Sequence, residues 1–121
     1  MSSQKNRFAD EFKLRTKKNA VESIKLYRSF PKTDAARIVG KQLIRCATSV
    51  AANYRVACRA RSKAEFHSKL SICVEEADET IFWLEITKES EIFKSDRLKK
   101  VKNEAEEILK MVSSARKTVS S

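Results

Sequence analysis

The chain of 121 residues is 41% hydrophobic and 35% charged, which is enough apolar material for one small domain. A single glycine and a single proline provide few turns, and this disfavours a many-stranded β fold. The net charge of +10 is typical of proteins that contact nucleic acid or an anionic membrane surface.

Neither export nor a membrane span is indicated. No apolar run approaches the roughly 20 residues that cross a bilayer, and the N-terminus lacks the apolar centre of a signal peptide. We therefore expect an intracellular protein. The odd number of cysteines (Cys46, Cys58 and Cys73) has no CxxC spacing, so we expect three reduced thiols, with Cys46 and Cys73 buried as small hydrophobes.

The first predicted helix runs from about Asp10 to Phe30, preceded by a flexible tail at residues 1–9. It ends before Pro31, because the residue before a proline avoids the helical region. Its apolar stripe has helical spacing, with Thr16 as one polar interruption. The predicted stripe comprises Phe8, Phe12, Ala20, Ile24, Tyr27 and Phe30.

The second predicted helix runs from Thr33 to Arg61, with Thr33 as its N-cap. One face is apolar at steps of three and four residues and is predicted to lie in the core. Its members are Ala36, Val39, Leu43, Cys46, Ala47, Val50, Tyr54 and Ala57.

A capping box at Ser62 and Glu65 predicts a third helix from about Lys63 to Glu89. A single helix through both segments is the alternative, but at about 55 residues it is rare in a small domain. The core stripe is predicted to comprise Phe66, Leu70, Cys73, Val74, Ala77, Ile81 and Leu84. The apolar residues Phe82, Trp83 and Ile86 widen this stripe, which indicates a second buried face and an oligomer interface.

Ser95 is predicted to cap a fourth helix from about Asp96 to Val112 or Lys117, followed by a flexible tail at residues 114–121. Its apolar stripe comprises Leu98, Val101, Ala105, Ile108, Leu109 and Val112. Four amphipathic helices with short connections predict an all-α protein, an antiparallel up-down-up-down four-helix bundle, as a single domain over residues 1–121.

The charges are unevenly distributed. Residues 33–61 carry six basic residues and one acidic residue, whereas residues 62–90 carry three and seven. In a hairpin of the second and third helices, these opposite charges face each other and form structural ion pairs that fix helix register. The predicted pairs are Arg37 with Glu85, Lys41 with Glu79, and Arg45 with Glu76.

Two groups of basic residues are candidates for nucleic-acid binding. Arg55, Arg59, Arg61 and Lys63 form a corner at the hairpin tip, where Glu65 is the one nearby acid. The first helix contributes Lys13, Lys17 and Lys18. Such side chains contact phosphates without regard to base sequence and with strong salt dependence. The alternative is that both groups are ordinary solvated surface.

Catalysis has little support. His67 is the one histidine and has no evident nucleophile to activate. The acidic run around Glu76 lacks the Glu-x-x-His motif of di-iron bundles, and no glycine-rich phosphate loop is present. We therefore expect a protein that is not an enzyme and holds no cofactor and no metal.

Several segments are similar to those of a known family: LYRSFPK, QLIRCATSVAANY followed by ARSKAEF, and ADETIFWLE. Together they resemble the four-helix bundle family named after proteins encoded in intervening sequences of bacterial 23S ribosomal RNA genes. The resemblance covers about residues 8–90. It implies a cytoplasmic bacterial protein and a ring-like homo-oligomer, with a pentamer as the expected state.

The leading hypothesis is a non-enzymatic, homo-oligomeric bundle that binds RNA or DNA through phosphate contacts. The alternative is an oligomeric scaffold for protein interactions, in which Phe82 and Trp83 anchor an interface and the charges serve assembly.

Overall fold

The computed structural model describes residues 3–120, and side chains within residues 7–119. Four helices account for most of this range, and no strand occurs in it. They are α1 (Ser3–Arg28), α2 (Asp34–Ala57), α3 (Lys63–Glu89) and α4 (Asp96–Ser120). The predicted all-α class is confirmed.

Three hydroxyl side chains begin the last three helices as predicted. Thr33 and Ser62 each accept a hydrogen bond at 3.1 Å from the backbone N–H three residues further on. Ser95 accepts one at 3.0 Å in the same way. These bonds satisfy N–H groups that have no partner inside the helix. The alternative of one unbroken helix through α2 and α3 is therefore wrong.

Helix α2 ends at Ala57, four residues before its predicted end at Arg61. The N–H groups of Arg59 and Ala60 bond to carbonyls three residues back, at 2.9 and 3.0 Å. This tighter turn reverses the chain before Ser62 adopts the extended backbone of an N-cap. The sequence contains no glycine that would have indicated this early end.

The predicted flexible tails are helical wherever the structure describes them. Helix α1 begins at Ser3, and α4 continues to Ser120, whereas residues 1, 2 and 121 lie outside the described part. Phe8 stacks on Phe12 with ring centroids 5.9 Å apart. Ala115 and Val119 pack against the core. Phe8 belongs to the predicted stripe of α1, whereas the contacts of Ala115 and Val119 lie beyond the predicted stripe of α4.

A glycine-free Schellman turn ends α3. Glu91 has a positive φ of 62°, and its N–H donates to the carbonyl of Lys88 at 3.1 Å. The N–H of Ile92 donates to the carbonyl of Thr87 at 3.1 Å. This pair of bonds satisfies carbonyls at the end of the helix. Ile92 and the following phenylalanine pack on the core, so the turn also directs α4 back along the bundle.

The helices form a bundle in which neighbours in sequence are neighbours in space, and α4 returns to contact α1. The core has two layers along the bundle axis. The layer near the α2–α3 turn includes Phe12, Val50, Tyr54, Leu70, Cys73, Ile108 and Val112. The layer at the other end includes Leu26, Phe30, Leu43, Leu84, Leu98 and Val101.

The buried face of α1 is rotated from the predicted stripe. Leu26, absent from the prediction, is fully buried, whereas Ile24 and Tyr27 are half-buried and Phe8 is 52% exposed. Polar side chains at positions 16, 19 and 23 are buried on the same face. Each of these side chains donates a hydrogen bond to a backbone carbonyl. These bonds replace hydrogen bonds to water, so burying the polar groups costs little free energy.

The one glycine permits a close contact between α1 and α2. Gly40 is buried within α2, and a Cβ added there would overlap the ring of Tyr27. Glycine costs about 1 kcal/mol relative to alanine inside a helix. Here the absent side chain is what lets the Tyr27 ring lie against the α2 backbone.

Candidate nucleic-acid interface

A groove of about 820 Å³ runs between α1 and α2. Lys13 and Lys17 line it from α1, Arg55 lines it from the last turn of α2, and Arg59 lines it from the turn that follows α2. Lys13 and Lys17 are four residues apart, so both lie on one face of α1. The structure thus brings together basic residues that the sequence had presented as two separate groups.

Little negative charge offsets these cations. Among the described residues, Asp10 is the one acid that lines the groove, and it lies 3.1 Å from Lys13 Nζ. Lys17, Arg55 and Arg59 are exposed and form no ion pair within the part of the chain that the structure describes. The groove therefore keeps a positive potential of its own.

Aliphatic side chains line the groove between the two basic pairs. Leu14 is 65% exposed, and Val21 and Val56 are also exposed. The remaining apolar lining residues are Ala20, Ile24, Ala51 and Ala52. Among the described side chains, residues 7–119, no aromatic ring lines this surface. Sequence reasoning did not identify it, although Leu14, Val21 and Val56 lie off the buried stripes and could have indicated an apolar outer face.

The predicted basic corner is divided by the structure. Arg61 and Lys63 are exposed at the α2–α3 turn but do not line the groove with Arg55 and Arg59. Neither forms an ion pair within the described residues. They extend the positive surface beyond the end of the groove.

Lys18 lies on another side of α1. It lines a second cleft, between α1 and α4, together with Arg15, Arg97 and Lys100. The groove and this cleft share no lining residue. Consecutive residues on a helix point about 100° apart, so Lys17 and Lys18 face different neighbours. The structure therefore separates Lys18 from the other candidate residues.

Only one of the three predicted ion pairs forms. Arg45 lies 3.1 Å from Glu76 and, in addition, 2.9 Å from Glu79. Arg37 bonds Asp34 on its own helix instead of Glu85. Lys41 is exposed and has no carboxylate partner within the described range. The Arg37–Glu85 and Lys41–Glu79 predictions are wrong, because Asp34 is one turn away and Glu79 is already bonded to Arg45.

Cys46, Glu76 and Glu79 form the one group in the described residues whose ligand atoms could hold a metal ion, with those atoms within 4.8 Å of one another. Arg45 is also there, with Nη2 3.1 Å from Cys46 Sγ. Burial raises the pKa of the Cys46 thiol to about 12, although the Arg45 charge opposes this shift. Hydrogen bonding with Glu76 and Arg45 lowers the pKa of Glu79. We assign the cluster to an ion-pair network in which Arg45 supplies the positive charge.

The remaining thiols and His67 show no catalytic arrangement. Burial raises the pKa of Cys73 to about 12 and also raises that of Cys58. All three cysteines are free. His67 is half-buried on α3 and makes no hydrogen bond or ion pair with any described residue. An acid–base pair of the kind that activates a nucleophile is therefore not formed around His67.

The predicted oligomer interface on α3 is part exposed and part buried. Phe82 is 49% exposed, and its ring lies edge-on to Trp83 with centroids 4.9 Å apart. Trp83 and Ile86 are half-buried, and Trp83 packs against the core. Phe82 is consequently the residue of this group that offers a large apolar surface to a partner.

Carboxylates surround Phe82 on the same face of α3. The acids at helical spacing from it are Glu75, Asp78, Glu79, Glu85 and Glu89. Of these, Glu79 bonds Arg45, and the others form no ion pair within the described part of the chain. The exposed side of α3 is therefore acidic and apolar, unlike the basic α1–α2 groove.

None of the described helices is long and apolar enough to cross a membrane.

A family model described as 23S rRNA-intervening sequence protein matches residues 12–114. Among solved structures, the chain is similar to a protein of unknown function from the S23 ribosomal protein family of Bacteroides thetaiotaomicron. The two are 32% identical, the match covers 90% of this chain and 97% of the other, and the TM-score is 0.82. No curated protein matches the chain.

Proposed function

The chain belongs to the 23S rRNA-intervening sequence protein family, and we propose that it is a non-enzymatic, cytoplasmic protein that binds RNA or DNA through phosphate contacts. One observation carries this proposal. Basic side chains from two different helices line one groove, and three of them have no carboxylate partner within the described residues.

The chemistry of the groove favours contacts with the nucleic-acid backbone. Lys17, Arg55 and Arg59 are long, exposed side chains that can follow a row of phosphates. Proteins that grip single strands by their bases use aromatic platforms, and no aromatic ring lines this groove. Recognition is therefore independent of base sequence, and Arg61 and Lys63 lengthen the contact past the α2–α3 turn.

Self-association is the second part of the proposal. A pentameric ring, as the family resemblance implies, would repeat the basic groove once per subunit. Several weak phosphate contacts to one strand then act at high effective concentration. The exposed Phe82, with Ile86 and the edge of Trp83 beside it, is the proposed contact between subunits.

Binding to labelled single- and double-stranded RNA and DNA, measured across a range of salt concentrations, tests the proposal. The expected result is a steep linear fall of log affinity with log salt, because each neutralised phosphate releases counterions. Absence of binding at low salt would overturn the proposal, since even nonspecific attraction is strongest there.

Charge reversal within the groove locates the contact. The R55E/R59E protein is expected to bind at least about tenfold more weakly, with a salt slope reduced by about two. The matched control is R37E/K41E, which makes the same double charge reversal at exposed positions of α2 away from the groove. Equal losses in both variants would mean that overall charge, not the groove, attracts the nucleic acid.

An oligomeric scaffold for protein interactions is the second candidate function. Two exposed apolar surfaces favour it. One is the aliphatic lining of the groove, in which Leu14 is 65% exposed, and the other is the exposed ring of Phe82. Exposed apolar patches mark protein contacts, whereas nucleic-acid interfaces are more polar and more positively charged than protein–protein interfaces.

Nucleic-acid binding separates the two candidates, because both expect a homo-oligomer, and F82A tests the assembly that they share. F82A should shift sedimentation of the protein to a smaller species, because this ring is exposed and its loss leaves the core intact. F82A is preferable to a change at Trp83, which packs against the core. If wild-type protein assembles but binds no nucleic acid at any salt concentration, the scaffold function is supported instead.

A further inference from the structure

The cleft between α1 and α4 has a volume of about 470 Å³ and lies apart from the α1–α2 groove. Charged side chains from both helices dominate its lining. They are Arg15, Lys18 and Glu22 from α1, and Arg97, Lys100 and Glu104 from α4. Asn19 and Val101 form the rest of the lining between the helices.

Two polar contacts set the register of α1 against α4. Arg15 makes a two-pronged bond to Glu104, with N–O distances of 2.7 and 2.9 Å. The amide of Asn19 donates to the carbonyl of Val101 at 3.3 Å. Lys18 from α1 and Lys100 from α4 line this same cleft, one from each helix. Like charges in one cleft raise its free energy unless an anion lies between them.

The carboxylates of the cleft already have partners. Glu104 bonds Arg15, and the hydrogen bond to Glu104 raises the pKa of Arg15. Glu22 lies 3.6 Å from Lys25 on its own helix. Lys18, Arg97 and Lys100 are exposed and form no ion pair within the described residues. Four cations and two carboxylates line the cleft, so an anion of charge −2 would neutralise it.

We propose that the α1–α4 cleft is a phosphate-binding site, in which Lys18 from one helix and Arg97 and Lys100 from the other hold a phosphate or diphosphate group. The planar guanidinium group of arginine and the ammonium group of lysine both donate charge-assisted hydrogen bonds to phosphate oxygens. The cleft has room for a diphosphate, and its lining contains no aromatic ring on which a base would stack. The phosphates, rather than an attached base, therefore carry the recognition.

Calorimetric titration of the whole protein with pyrophosphate tests this site. The expected result is saturable binding of one pyrophosphate per chain, weakened at least about tenfold by R97E/K100E. The neutral pair K18Q/K100Q should also weaken binding, and it guards against a folding defect caused by reversed charges. Circular dichroism and thermal unfolding confirm that each variant is folded.

The matched control is K88E/K99E, which reverses two exposed lysines that lie outside the cleft and form no ion pair within the described residues. This protein should bind pyrophosphate as wild type does. The site is overturned if wild-type protein shows no saturable binding, or if K88E/K99E loses as much affinity as R97E/K100E.

A competition experiment identifies the source of the phosphate. A short oligothymidylate without terminal phosphates would displace pyrophosphate if the cleft takes the nucleic-acid backbone. If it does not compete, the cleft takes a free diphosphate. The R55E/R59E protein should still bind pyrophosphate, because the groove and the cleft share no residue. Failure of the nucleic-acid proposal and failure of this site are thus distinguishable.

Discussion

The α2–α3 interface and the α1–α4 interface belong to one bundle but use different chemistry. Between α2 and α3, the buried positions are predominantly apolar, and the main ion-pair network, around Arg45, is at an exposed border. Between α1 and α4, buried Asn19 bonds a backbone carbonyl, and Arg15 and Glu104 bridge the helices. Beside these bridges an open, charged cleft remains.

The difference shows how one bundle can combine stability with a binding surface. The hydrophobic effect is not directional, so apolar side chains are stabilised by close packing without needing a defined partner. Polar contacts need defined partners, so they fix helix register while leaving neighbouring charges in contact with water. The polar α1–α4 interface therefore leaves an open cleft beside it, whereas the apolar α2–α3 interface contributes chiefly to stability.

The largest expected effect is at the apolar interface. Leu43 is fully buried in the core layer near the α1–α2 turn. Its replacement by alanine should lower the free energy of unfolding by about 2–5 kcal/mol, from lost burial plus a cavity. Urea denaturation measures this change. I38A is the control, because Ile38 is 63% exposed on the same helix. A comparable loss in I38A would contradict the assigned face of α2.

Gly40 should give the next largest effect. Alanine normally stabilises a helix, but here its Cβ would overlap the Tyr27 ring. G40A should therefore destabilise the protein by about 1–3 kcal/mol, the usual cost of overpacking. Thermal unfolding of G40A, Y27A and the double variant measures the coupling. The double variant should lose less than the sum of the single losses, and simple additivity would show that the two residues do not clash.

At the polar interface, N19A should cost about 1–2 kcal/mol, because the side-chain bond to Val101 joins two helices. N53A is a matched control. The amide of Asn53 bonds the carbonyl of Ser49 on its own helix at 2.9 Å, so its loss should cost less than about 0.5 kcal/mol. Chemical denaturation of both variants provides the comparison. Equal losses of stability in N19A and N53A would mean that the hydrogen bond between α1 and α4 contributes no more than one within a single helix.

The smallest expected effect is the pH dependence of stability that Glu79 contributes at the exposed border between α2 and α3. Folding lowers the pKa of Glu79 through its hydrogen bonds, so its contribution to stability is present above the pKa of the unfolded chain. That contribution is lost as pH falls through the lower pKa of the folded protein. Wild type and E79Q should therefore differ slightly in melting temperature at pH 7 and converge in acid. If the difference in melting temperature between wild type and E79Q stayed constant across pH, it would not arise from ionisation of Glu79.

Local chemistry explains which parts of the fold were predictable. The starts of α2, α3 and α4 were predicted because each depends on a hydroxyl side chain and the next turn of helix. The α2 stripe was predicted because its polar face is distinct. The face of α1 was only partly predicted, since its buried positions include polar residues such as Asn19 that a search for apolar periodicity passes over.

The candidate site was less predictable than the fold. Sequence identified Lys17, Arg55 and Arg59 as basic residues but gave no means of knowing that they line one groove. It grouped Lys18 with Lys17, although they face different helices. The predicted Arg37–Glu85 pair failed because ion pairing depends on side-chain reach, and Asp34 was closer.

The sequence by itself determined the four helices, the starts of α2, α3 and α4 and the apolar seam between α2 and α3, because these depend on caps and on the 3.6-residue period. The tertiary structure alone decided which cations share a groove, where the aliphatic lining is exposed and how Asn19 joins α1 to α4. Those features depend on the rotation and approach of helices distant in sequence, and the charge pattern of a single helix does not specify either.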